Sequence, residues 1–105
     1  MTAADISARI DRKEHALRTV AAASETVVVA KADLEFIQSR YTLEGLEGAN
    51  EKQRSADLSA KTETERGGLA LAEKSLREAQ LELDIANLRV QEASMLLKVA
   101  ENTSG

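Results

Sequence analysis

From Leu69 to Ala100 a large aliphatic residue and an alanine alternate without a miss. Leu69, Leu76, Leu83, Val90 and Leu97 recur every seven residues, and Ala72, Ala79, Ala86, Ala93 and Ala100 each follow three places later. Spacings of three and four put all of them on one stripe of an α-helix. Strict recurrence at seven makes that stripe a coiled-coil seam. Alanine at every second seam position lets a facing backbone come close, as small residues do wherever helices pack tightly.

An earlier stretch carries a matching seam: Ala16, Val20, Ala23, Val27, Ala30, Leu34, Ile37 and Tyr41. Before it, Arg9 and Lys13 take seam slots while Ile6, Ile10 and Leu17 sit to the side, the drift expected where a straight helix leaves a heptad. Thr2-Ala3-Ala4-Asp5 has the form of a capping box, so a helix is expected over about 3–44. Gly45 suits the left-handed position past a helix end, with Leu46 folding back towards Tyr41. Gly48 loosens the link, and Asn50 is a good N-cap with Gln53 three places on. Residues 45–49 therefore form a tight turn, and short turns make antiparallel neighbours.

A second helix is expected over about 51–101. Its opening turns are its weakest, because Ser55, Thr62 and Glu65 occupy seam positions and Gly67-Gly68 follow. The two glycines mark a kink, or a break that leaves 45–68 as a polar connector between separate helices. The continuous helix is preferred, since Asn50 caps well and long structureless connectors are uncommon. The last residues, Asn102 to Gly105, should fray. The expected fold class is all-α: one antiparallel two-helix coiled-coil hairpin domain spanning 1–105.

Composition agrees. Proline, cysteine and tryptophan are absent, and Phe36 and Tyr41 are the sole aromatics. A core built from bulky side chains converging from several directions is therefore excluded. The abundant Ala, Leu, Glu, Lys, Arg and Gln are the best helix formers.

The second helix has a further apolar stripe. Leu81, Ile85, Leu88, Met95 and Val99 recur at helical spacing, interrupted by Glu92 and widened by Leu96, and they lie opposite the seam. The first helix has a fainter counterpart in Val29, Ala32, Phe36 and Leu43. A helix apolar on two faces must be covered on two faces. The expectation is a homodimer, two hairpins forming a four-helix bundle, with Leu81, Ile85, Leu88, Met95, Leu96, Val99, Val29 and Phe36 in the oligomer or partner interface. The competing expectation is a folded-back segment of the same chain over Leu81, Ile85 and Leu88.

Residues that carry chemistry are sparse. His15 is the single histidine, and it has no second histidine or cysteine to complete a metal set. Arg12 stands where a Glu-x-x-His pair would need an acid. There is no nucleophile turn and no phosphate-cradling glycine loop. No enzymatic activity, cofactor or metal is expected. Arg9, Arg12, Lys13 and Arg18 form the densest basic segment and are the alternative, phosphate-contacting site of a nucleic-acid-associated protein. They alternate with Asp11 and Glu14 and lack interleaved aromatics for base stacking. The net charge of −4 creates no global field for nucleic acid or membrane. No leader pattern and no bilayer-length apolar run is present, so the expected location is cytoplasmic.

Around the turn, Tyr41, Gly48-x-Asn50, Arg54-x-Ala56 and Leu58 form a pattern that resembles small coiled-coil proteins encoded by bacteriophages. The resemblance spans the turn and the start of the second helix. It implies a phage accessory protein acting in the host cytoplasm, without an assigned activity. The secreted hairpins with a Trp-x-Gly turn differ, since Leu43-Glu44-Gly45 stands at that place. The expected role is a non-enzymatic coiled-coil module, structural or binding a host or phage protein.

Overall fold

The computed structural model describes residues Met1–Ser104 and is all-helical: α1 (Ala3–Glu44), α2 (Glu51–Lys61) and α3 (Glu63–Ser104). The start of α1 is a reciprocal capping box. Thr2 N–H donates to Asp5 Oδ2 at 2.9 Å, and Asp5 N–H donates to Thr2 Oγ1 at 3.2 Å. Two orphan donors of the helix end are thereby satisfied. α1 ends before Gly45, whose φ of 95° is a left-handed conformation open to glycine.

Asn50 caps α2 by accepting from Gln53 N–H at 2.9 Å. The glutamine side chain reaches one residue further back than in a standard box, to Ala49 N–H at 2.7 Å. Gly48 is required here for two reasons. Its φ is 133°, and a Cβ would stand 2.6 Å from Gln53 Cβ.

The second helix is interrupted, but at Thr62 and not at Gly67-Gly68, which lie inside α3. Residues 45–68 are accordingly no structureless connector. The interruption is slight, because Thr62 N–H still donates to Leu58 O (3.1 Å) and Arg66 N–H to Thr62 O (2.9 Å). Thr62 Oγ1 also donates to Leu58 O, at 2.8 Å, a back-bond that Thr19 and Thr42 make as well inside the unbroken α1. Glycine lowers helix propensity without redirecting a hydrogen bond, so a packed helix runs through it.

The chain divides into two compact units. In the first, Met1–Ala22 of α1 packs with the part of α3 from Leu76 onward, and Ala16, Ala79, Ala86 and Ala93 are buried. Arg9 Nη1 crosses between the two helices to donate to Arg89 O at 2.8 Å. The second unit is Ala23–Ser75, where Val27, Thr62 and Ala72 are buried. No described helix is long and apolar enough to cross a membrane.

Three expectations need correcting at the ends. Ile6, Arg9 and Lys13 are half-buried in the heptad register, while Ile10 and Leu17 are exposed, so the seam does not drift. The long stems of Arg9 and Lys13 cover it while their charges reach solvent. Leu97 and Ala100 are exposed, although the heptad puts them on the seam. Finally, α3 runs to Ser104, beyond the expected end near 101, and Gly105 lies outside the described residues.

Gly67 and Gly68 offer a direct test of this reading. Nothing lies within 4 Å of a Cβ built at either position. Gly67→Ala with Gly68→Ala is expected to stabilise the chain by about 1–2 kcal/mol in a urea titration. An unchanged or lower midpoint would show that the glycines meet a constraint outside helix propensity.

Candidate interaction surface

Helix geometry fixes where the second apolar stripe points. Ile85 and Val99 stand two places after seam residues Leu83 and Leu97, and Leu81, Leu88 and Met95 two places after Ala79, Ala86 and Ala93. Two residues turn a helix by about 200°, so the stripe looks away from the seam. Burial agrees with that geometry. Seam alanines 72, 79, 86 and 93 are buried, and Leu69, Leu76, Leu83 and Val90 are half-buried. Exposure on the stripe runs from 37% at Ile85 through 59% at Leu81, 62% at Val99 and 64% at Leu88 to 68% at Met95. Leu96 is also exposed. No part of the described chain covers Leu81, Ile85 and Leu88, which removes the folded-back segment as their partner.

The stripe is longer than its aliphatic members. Leu71, 68% exposed, follows Leu69 by two and lies on the same heptad position as Ile85. Lys74, Glu78 and Glu92 occupy the remaining places. Reading the stripe by apolar residues alone hid Leu71 behind these charges; the two-residue offset from the seam recovers it. On α1 the same offset yields Val29, Ala32, Phe36 and Leu43, all exposed.

The turn is held by a side chain that local motifs did not single out. Asp57 Oδ2 accepts from Glu47 N–H at 3.0 Å and from Lys61 Nζ at 3.1 Å. These bonds hold its carboxyl below the ordinary carboxylate value, the Glu47 N–H contributing most. Lys61 is raised in return by Asp57, and its Nζ stands 5.7 Å from the Tyr41 ring centroid. Leu46 and Tyr41 are both half-buried beside this cluster. Asp5, at the start of α1, is lowered likewise by the backbone and hydroxyl bonds from Thr2. In the seam, Glu65 Oε2 is buried without a hydrogen-bond partner.

The basic segment is divided by the fold. Arg9 is engaged by Arg89 O and by Glu92 Oε1 at 3.4 Å, and Lys13 is half-buried in the seam. Arg12 and Arg18 are exposed. Arg9 and Arg12 do border a surface cleft of about 260 Å³ with Met1, Asp5, Ala8 and Arg89. Asp5 contributes an opposing charge within it. Among the described residues no three or more acidic, histidine or cysteine side chains are grouped as a metal site would require.

The chain matches no family model, no curated protein and no solved structure.

Proposed function

We propose that this chain is an antiparallel two-helix hairpin that pairs with a second copy into a four-helix assembly. It would serve as a non-enzymatic structural or protein-interaction module. Contact order supports the hairpin: Arg9 meets Glu92, Tyr41 meets Lys61 and Glu47 meets Asp57, so the second number falls as the first rises. Short connections favour the same arrangement.

The observation that carries the association is the exposed stripe Leu81, Ile85, Leu88, Met95 and Val99 on the flank opposite the seam. At about 1.5–3 kcal/mol for each fully buried side chain, covering them from both copies is worth on the order of 10 kcal/mol. A lone pair of helices is marginally stable, so this term decides its state. A closed twofold dimer is the commonest way for a soluble chain to cover such a face. The likeness of the turn to small phage coiled-coil proteins supports an accessory role in a host cell, with the assembled helices as the docking platform. With Arg9 already bonded and Lys13 in the seam, the basic segment favours no second, nucleic-acid reading. The test is the mass of the protein in solution: twice 11.3 kDa supports the pairing, and 11.3 kDa contradicts it.

A further inference from the structure

The charges within the α3 stripe specify how two copies meet. Along this one helix the outward positions read Gly67, Leu71, Lys74, Glu78, Leu81, Ile85, Leu88, Glu92, Met95 and Val99. A parallel, in-register pair would set every residue against its own copy. Lys74 would face Lys74, Glu78 would face Glu78 and Glu92 would face Glu92, and like charges directly opposed disfavour a pairing.

An antiparallel pair offers a better match. With the twofold axis beside Leu83, each Leu81 meets the other copy's Ile85, and each Leu71 meets its Met95. In the same register Lys74 meets Glu92, Glu78 meets Leu88 and Gly67 meets Val99. Sliding either way by one heptad of pairing loses this: Lys74 then faces Val99 or Ile85, and Glu92 faces Leu81 or Gly67. A register pairing Lys74 with Glu78 also sets Leu71 against Leu81, but it leaves Ile85 against Gly67 and Leu88 against Thr64; the central register joins an opposite-charge pair with the most apolar layers. The monomer leaves those charges ready. Lys74 has no hydrogen bond or ion pair among the described residues, and Arg9 engages Oε1 of Glu92, leaving Oε2.

We propose that a second copy of this chain docks antiparallel along the α3 stripe, with reciprocal Lys74–Glu92 pairs and Leu81–Ile85 contacts beside the twofold axis. Val29 and Phe36, on α1, take no part in this contact. The inference rests on the self-association proposed above and adds its direction and register.

Absence of native cysteine makes cross-linking a clean test. In a chain carrying Leu71→Cys and Met95→Cys, mild oxidation is expected to give a covalent dimer in which peptide mapping finds position 71 of one copy joined to position 95 of the other. Such a bond is intermolecular, since 24 helical residues separate the two sites by about 36 Å within one chain. Either single variant is expected to lose the covalent dimer. Linkage of each position to itself, or a dimer by light scattering with no 71–95 bond, would overturn the register while leaving self-association standing. A monomer by light scattering, for the unmodified chain and the variants alike, would overturn both.

Discussion

Replacing Leu81, Ile85 and Leu88 together with glutamate is expected to abolish the proposed self-association and leave single chains. The three side chains are 37–64% exposed, so about half of the roughly 1.5–3 kcal/mol for full burial is at stake at each, and the six in two copies carry at least about 4.5 kcal/mol. At about 1.4 kcal/mol per decade, the dissociation constant should rise a thousandfold or more. Six carboxylates brought near the axis add repulsion to that loss. Helix content should persist, because these residues are already exposed in the single chain and glutamate is a good helix former. Light scattering beside far-ultraviolet circular dichroism reads both quantities. An unchanged mass would show that this face is not the contact.

The seam should respond in the opposite way. Ala86→Leu with Ala93→Leu is expected to destabilise the fold itself by about 2–6 kcal/mol, since overpacking typically costs about 1–3 kcal/mol per site. Ala86 is 7% exposed and Ala93 3%, so a larger side chain must push the facing helix away. For a chain of this length that corresponds to a drop in Tm of more than about 10 °C. Ala70→Leu is the control, because Ala70 is exposed and the change should stay within about 0.5 kcal/mol. A melt that leaves the two seam alanines indistinguishable from Ala70 would contradict the close approach of backbones argued from the alanine heptad.

Much of the helical organisation was legible before any coordinates. The heptads name the residues that are shielded, the Thr2–Asp5 box marks the start of α1, and Gly45 and Asn50 bound the turn. What escaped did so for physical reasons. The glycine pair reads as a breaker, but propensity acts weakly once a helix is packed, and the residue type at Thr62 does not mark the interruption, since Thr19 and Thr42 lie within an unbroken helix. Leu97 fits the repeat, yet it is exposed, because a heptad marks a face and burial needs a facing element; the shielded part of the seam ends at Ala93. Arg9 and Lys13 looked like a departure from the seam because polarity was weighed above their aliphatic stems. The candidate surface was half legible: its greasy members were plain, whereas Leu71, Lys74 and Glu92 acquire meaning only as a pattern two residues out of phase with the seam.

Sedimentation equilibrium of the unmodified protein at micromolar concentration bears most directly on the claim that α3 has one apolar flank too many for a single chain. Pairing through that flank gives twice the chain mass of 11.3 kDa. A stable, cooperatively melting species of 11.3 kDa would contradict it.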